Sequence, residues 1–143
     1  SFPDGATAAE SPCIYGVTDT LLNCITRVYA YLREHGFIAE RTFVFEVPFR
    51  RVREALGLTE NEAALFCCIF ANYFDYGEEP VSLPMLASDA EASSLRFLGF
   101  WREFRSLEEK GFIAVADTEE NIGKLYARQY YVPEDVIARI LDL

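Results

Sequence analysis

The sequence predicts an α+β fold that is mostly helical and ends in a small β-hairpin. Apolar residues recur at helical spacing in several segments bounded by capping and terminating residues. The stretch SLEEKGFIAVADTEENIGKLYARQYYVPED, residues 106–135, indicates the end of a helix, two strands joined by a polar tip, and a new helix. Hydrophobic residues make up 51% of the 143 residues, which is enough for a buried core.

The N-terminal part is predicted to be a tail followed by a helical extension. Residues 1–16 are small and contain Pro and Gly, which is typical of a flexible tail. Residues 17–57 form the extension, with helices over residues 18–34 and 48–56; Pro48 begins the second helix and Gly57 follows its end. The segment RTFVFEVPF, residues 41–49, indicates either a short strand or an extended linker. The expected inward-facing residues of the second helix are Phe49, Val52 and Leu56.

The helix that follows Thr59 has the clearest sequence signals. Thr59 and Glu62 have the spacing of a capping box, in which each side chain binds the other residue's backbone N–H. The run from Ala63 to Phe70 is almost wholly apolar, which is typical of a central, buried helix. A helix that reads DNA needs a polar face, so this helix is not expected to be a reader.

The remaining segments complete the order of a winged-helix domain. A very short strand at residues 81–83 precedes a helix begun by Pro84, and a long helix covers residues 94–110. Two strands with a polar tip then form the wing. We therefore predict three helices plus a small β-hairpin wing over residues 58–143. The expected inward-facing residues of the long helix are Leu95, Leu98, Trp101, Phe104 and Leu107, with Phe97 and Phe100 beside them.

The charge of the chain disfavours DNA binding. Thirteen Lys and Arg residues stand against 23 Asp and Glu residues, a formal net charge of −10, whereas DNA affinity depends on phosphate contacts made by basic residues. A DNA-binding transcriptional regulator that uses the helix at residues 94–110 and the wing is the alternative function. Its DNA-binding residues would be Arg96, Arg102, Arg105, Lys124 and Arg128.

The wing is the expected surface for a protein partner, together with the final helix. Side chains alternate along a strand, so one of the adjacent residues Tyr130 and Tyr131 must face outward. An exposed tyrosine combines an apolar ring with a polar group and is common at interfaces. The predicted partner-binding residues are Tyr126, Tyr130, Tyr131 and Arg128.

No motif for catalysis or for a cofactor is present in the sequence. Gly123-Lys124 lacks the upstream glycine and the hydroxyl residue of a phosphate-binding loop. With His35 as the only histidine, a nucleophile–base pair is not expected, and His and Cys are not clustered as metal ligands. We therefore expect no enzymatic activity, no metal and no cofactor in this chain.

The cysteines and the apolar runs indicate the cellular compartment of the protein. Cys67 and Cys68 lie in an apolar run and are typical of buried thiols in a reducing compartment, which favours the cytoplasm. The pattern leaves open whether Cys13 and Cys24 pair. No apolar run reaches the roughly 20 residues of a membrane-spanning helix, so no membrane partner is expected.

Several segments resemble a known family. These are LGLTENEAALFCCIF, EEPVSLPMLAS, LEEKGFI and YYVPEDVIARIL, within residues 49–143. They resemble the winged-helix-like N-terminal domain of prokaryotic AAA-family ATPases. The resemblance implies that the native chain continues past Leu143 into an ATPase module, which would fit the absence of an initiator Met. It further implies an accessory domain whose partner is a protein or the attached ATPase module.

Overall fold

The computed structural model describes residues 20–35, 46–116 and 127–143, and these form a mostly helical structure with one small antiparallel sheet. The prediction of a mostly helical α+β fold is confirmed. The helices are α1 (Leu21–His35), α2 (Val47–Leu56), α3 (Glu60–Asp75), α4 (Leu83–Asp89), α5 (Ser94–Leu98), α6 (Trp101–Glu109) and α7 (Glu134–Leu141). The strands are β1 (Val81–Ser82), β2 (Ala114–Val115) and β3 (Gln129–Tyr131).

The first two helices form where the sequence predicts them. The side chain of Thr20 caps α1 by accepting a hydrogen bond from the N–H of Asn23 at 3.1 Å. Pro48 lies in the first turn of α2, where its missing N–H costs no hydrogen bond. Residues 47–49 of the proposed strand or linker are therefore helical, while residues 41–45 lie outside the described part. α2 buries Phe49, Val52 and Leu56, as predicted.

The central position of α3 is confirmed. Thr59 accepts a hydrogen bond from the N–H of Glu62, and the Glu62 carboxylate accepts one from the N–H of Thr59 at 3.0 Å, which completes the capping box. Every residue from Ala63 to Phe70 is at most 5% exposed. α1, α2 and α6 pack around this helix, so its apolar run from Ala63 to Phe70 cannot contact DNA.

The prediction of one long helix over residues 94–110 is wrong. The chain forms α5 and α6, separated by Gly99 and Phe100. Phe100 has a non-helical backbone, with φ −101° and ψ 25°, and its N–H donates to the carbonyl of Phe97 in a tight turn. Glycine has a weak helix preference, so packing of the neighbouring aromatic rings can interrupt the helix at this point.

The interruption changes which side chains reach the core. Leu95 and Leu98 were expected to face inward, but they are 76% and 36% exposed. α6 starts in a new direction after the turn and places Phe104 and Leu107 in the core. The predicted stripe therefore holds for Phe104 and Leu107 of α6, whereas the buried residue of α5 is Phe97.

The sheet connects the middle of the chain to its C-terminal part. Its strand order is β1-β3-β2, and both pairs of strands are antiparallel. Tyr130 on the central strand lies opposite Val81 on one side and Val115 on the other. The expected strand FIAVA is reduced to Ala114 and Val115, and the wing tip, residues 117–126, lies outside the described residues.

The described elements share one hydrophobic core. α1 contributes Leu21, Ile25, Val28 and Leu32 to the same cluster as α3, α6 and α7. The predicted helical extension and the predicted winged-helix region are therefore packed together through residues of both. Within the described ranges, no helix is long and apolar enough to cross a membrane.

Candidate functional site

The two adjacent wing tyrosines have different environments. Tyr130 is 2% exposed, and its ring stacks on Phe104 with centroids 5.1 Å apart, so it belongs to the core and cannot serve as a partner contact. Burial raises its pKa to about 12. Tyr131 is 37% exposed, as the strand alternation requires. The predicted partner residue Tyr126 lies outside the described residues.

Arg128 lies against α6. Its guanidinium carbon is 5.4 Å from the centre of the Trp101 ring, within the range of a cation–π contact. The two side chains border a cleft of about 380 Å³ whose other lining residues are Arg105, Glu108 and Glu109. Two arginines thus face two glutamates, and the cleft has no excess positive charge for a phosphate.

The other arginines of the DNA-binding alternative lie on separate helices. Arg96 is on α5, whereas Arg102 and Arg105 are on α6, and all three are exposed. Arg105 is paired with Glu109 at 3.7 Å, and both side chains are well exposed, so this ion pair is weak. Lys124 lies outside the described residues.

A buried carboxylate joins the start of α3 to the end of α6. Glu62 is 5% exposed and accepts hydrogen bonds from the Ser106 hydroxyl and from the Lys110 ammonium, the latter at 2.8 Å. Burial alone would raise the pKa of Glu62, but these bonds and that from the Thr59 N–H outweigh it and lower the pKa. Since its hydrogen-bond acceptors are occupied by structural donors, we assign Glu62 a structural role.

A second polar cluster fastens α1 to the rest of the molecule. The Asp89 carboxylate, at the end of α4, accepts hydrogen bonds from the Tyr29 hydroxyl at 2.5 Å and from the Asn72 amide at 3.2 Å. Arg33 lies 3.4 Å from its other oxygen. Burial and the neighbouring Asp89 raise the pKa of Tyr29. This cluster positions Tyr29 beside an apolar groove.

An aromatic ladder on α3 leads from the core to that groove. Phe66, Phe70 and Phe74 recur every four residues, so their rings lie in one row along the helix. Ring centroids are 5.7 Å apart for the first pair and 5.0 Å for the second. Exposure rises along the row from 0% to 4% to 37%. Phe74 is therefore held in place by its neighbours while its ring remains accessible to solvent.

The groove lies between α1, α3 and α7 and has a volume of about 450 Å³. Its lining is mostly apolar, and two of its residues, Phe74 and Leu141, are among the exposed large hydrophobic residues of the molecule. Leu141 is 59% exposed. The lining residues are Leu22, Ile25, Thr26 and Tyr29 of α1, Phe70, Ala71, Phe74 and Asp75 of α3, and Ile137 and Leu141 of α7.

Sequence reasoning selected α7 as a contact surface but missed the groove. The signal was the four-residue spacing of Phe66, Phe70 and Phe74, which extends the apolar stripe of α3 beyond the buried run. A spacing of this kind shows that a face is apolar, not whether another element covers it. α1 and α7 cover only part of this face, so Phe74 remains exposed.

Two adjacent cysteines, Cys67 and Cys68, lie on α3. Cys67 and Cys68 are fully within the core, and burial raises the pKa of both thiols, whereas a nucleophilic cysteine needs a lowered pKa. Over the three described ranges, no group of three or more His, Cys, Asp or Glu side chains is arranged to hold a metal ion. Cys13 lies outside these ranges, so a pair with Cys24 stays a hypothesis.

Comparison with known proteins gives no match: no protein-family model fits the chain, and no curated protein or solved structure is detectably similar to it. An interaction role is therefore inferred from the groove and the exposed wing residues.

Proposed function

We propose that this chain is a non-catalytic protein-interaction and regulatory domain of the winged-helix type, and that it forms the N-terminal part of a larger AAA-family ATPase. The observation that carries the interaction role is the apolar groove between α1, α3 and α7. Monomeric soluble proteins rarely leave large hydrophobic side chains grouped at a concave surface without a binding role. The groove offers Phe74 and Leu141 as exposed anchors.

The order of the elements supports the winged-helix part of the proposal. From α3 onward the chain runs helix, strand, helix, two short helices, strand and strand, and β3 lies between β1 and β2. The departure from the predicted order is the division of the third helix into α5 and α6. The ATPase part rests on the resemblance of residues 49–143 to the N-terminal domains of that family.

The wing is the second proposed contact surface. Tyr131 is exposed on β3, and Arg128, three positions earlier in the chain, lies over Trp101. α7 follows β3 in the chain and lines the groove, so it links the two surfaces in sequence.

Affinity capture with matched variants tests the proposal. Leu141→Asp places a charge in the groove, whereas Leu95→Asp places the same charge at a residue that is 76% exposed on α5, outside the groove lining. We expect partners bound by the unmodified chain to be lost with Leu141→Asp and retained with Leu95→Asp, as measured by quantitative mass spectrometry of the captured proteins. Tyr131→Ala should weaken capture if the wing contributes.

Both aspartate variants replace exposed leucines, so both should fold, which circular dichroism can verify. Captured proteins that bind all variants equally would contradict an interaction role for the groove. Capture that depended on Tyr131 alone would move the contact surface to the wing.

DNA binding remains the second candidate function, favoured by the exposure of Arg96 and Arg102 on consecutive helices. In that case Arg102→Glu would abolish binding of duplex DNA, since it removes one phosphate contact and adds a repulsion. An unchanged affinity would exclude α6 as the reading helix.

A further inference from the structure

The shape of the groove indicates what kind of segment fits it. On α1 the lining extends from Leu22 to Tyr29, a length of about 10 Å or two helical turns. The opposite walls are also helices, so the groove is a channel between helix surfaces. Grooves of this kind accept the apolar face of an amphipathic helix, whose anchors recur at positions i, i+3 or i+4, and i+7.

The charges at the groove are acidic. Asp75 is the one charged residue among the lining residues that the structure describes, and it is exposed. Glu134 precedes Ile137 by three positions and therefore shares its side of α7. Glu134 is exposed in the first turn of α7.

Two cations of the surrounding helices are directed elsewhere, and a third, Arg27 of α1, is half-buried and has an interaction of its own. Arg139 lies two positions from both Ile137 and Leu141, on another side of α7, with its guanidinium 5.5 Å from the centre of the Phe112 ring. On α1, Arg33 is paired with Asp89 at 3.4 Å. An occupant with acidic flanks would meet the like charges of Asp75 and Glu134, whereas one with basic flanks would meet opposite charges there.

Resting on the proposed interaction role, we infer that the groove binds an amphipathic helix of a partner protein, with apolar anchors on one face and Lys or Arg on the flanks. Phe74 and Leu141 contact the anchors, and Asp75 and Glu134 contact the basic flanks. The aromatic ladder holds Phe74 in position before binding, which reduces the entropy lost in the complex.

Three designed peptides test this inference with the whole 143-residue chain. Each has about 18 residues, long enough to form a helix. The first carries a leucine stripe with lysine flanks, the second the same stripe with glutamate flanks, and the third the composition of the first in a scrambled order. We expect fluorescence anisotropy to show binding of the first peptide, at least about tenfold weaker binding of the second, and no binding of the third.

Charge reversal at the groove provides the specific control. Asp75→Lys lies at the end of α3, where a cation suits the helix dipole, so the fold should be kept. This variant should lose the preference for the lysine-flanked peptide and move it toward the glutamate-flanked one. Leu141→Asp should abolish binding of both, and Leu95→Asp should leave both affinities unchanged.

Each contrary outcome has a separate meaning. Equal affinity for both striped peptides would overturn the basic partner while leaving the groove as a contact surface. Binding of the scrambled peptide would mean nonspecific attraction to the acidic chain and would overturn the inference. Self-association of the unmodified chain in sedimentation, lost with Leu141→Asp, would replace the partner helix with a second copy. If no peptide binds but capture still depends on Leu141, the proposed function stands and the inference fails.

Discussion

Glu62 shows how one residue can serve both local structure and long-range packing. Its spacing from Thr59 caps α3, and its carboxylate also accepts from Ser106 and Lys110 of the α6 region. The pKa of Glu62 in the folded chain lies below the ordinary value of 4.5. The fold therefore stabilises the ionised form of Glu62. This contribution to the free energy of unfolding is complete above 4.5 and is lost as pH falls through the folded-state pKa.

Replacement of Glu62 by glutamine tests this linkage. We expect Glu62→Gln to lower the free energy of unfolding by about 1–3 kcal/mol at neutral pH, because the Lys110 ammonium loses its charged acceptor. The difference from the unmodified chain should shrink as pH falls below about 4. Urea unfolding at a series of pH values measures it.

Glu60→Gln is the matched control, since Glu60 is an exposed carboxylate in the first turn of the same helix. It should cost only about 0.3–1 kcal/mol through the helix dipole. If the loss of unfolding free energy caused by Glu62→Gln stayed constant down to about pH 3, the carboxylate of Glu62 would not be the titrating group.

Local spacing predicted the two hydrogen bonds that Glu62 makes with Thr59 but not those with Ser106 and Lys110. Thr59 is three positions away, within the reach of a capping motif, whereas Ser106 and Lys110 are 44 and 48 positions away. Neither Ser106 nor Lys110 belongs to the inward-facing residues predicted for a straight helix over residues 94–110. The turn at Gly99 redirects α6 and brings both toward α3, a consequence of tertiary packing that no local pattern contains.

Among the elements, α1 is the one whose folding is expected to depend on contacts with the rest of the molecule. It packs on α2, α3 and α7, buries its apolar stripe in the shared core, and is fastened through Tyr29 and Arg33 to Asp89. It also forms one wall of the groove. We therefore expect α1 to unfold together with the sheet and α6 rather than as a separate extension.

Leu32→Ala tests this coupling. Leu32 is 2% exposed, and its truncation should lower the free energy of unfolding by about 2–5 kcal/mol. Trp101, the single tryptophan of the chain, reports on α6. Tryptophan fluorescence and far-UV circular dichroism should shift to the same lower denaturant midpoint.

Glu34→Ala, at an exposed position of the same helix, should change stability by less than about 0.5 kcal/mol. If Leu32→Ala left the Trp101 transition unchanged while part of the circular dichroism signal was lost earlier, α1 would be an independent unit. The predicted boundary near residue 57 would then also be a folding boundary.

Element prediction succeeded where strong local signals coincide. The capping box and apolar run defined α3, and Pro48 and Gly57 marked α2, whose end has the left-handed φ of 67° at Gly57. It failed for Leu95 and Leu98, since periodicity was continued through a turn whose cause is packing. The groove could not be predicted because its walls are α1, α3 and α7, which are distant in sequence.

For the molecule as a whole, charge and shape favour the same function. The net charge is −10, the cleft at Trp101 balances two arginines with two glutamates, and the groove has acids at its edge. Affinity for DNA arises from several phosphate contacts at once, so a neutral surface on an acidic chain loses most of it. An apolar groove with acidic flanks instead suits a basic, amphipathic protein segment.

The most direct test of whether this surface serves proteins rather than DNA is fluorescence anisotropy. A labelled, mixed-sequence DNA duplex is titrated with the whole chain at about 50 and 200 mM salt. We expect no binding at either salt concentration, because the cleft at Trp101 balances two arginines with two glutamates and the chain carries a net charge of −10. Binding at the lower salt that falls steeply at the higher one, and that Arg102→Glu removes, would contradict it and make α6 and the wing a DNA-binding surface.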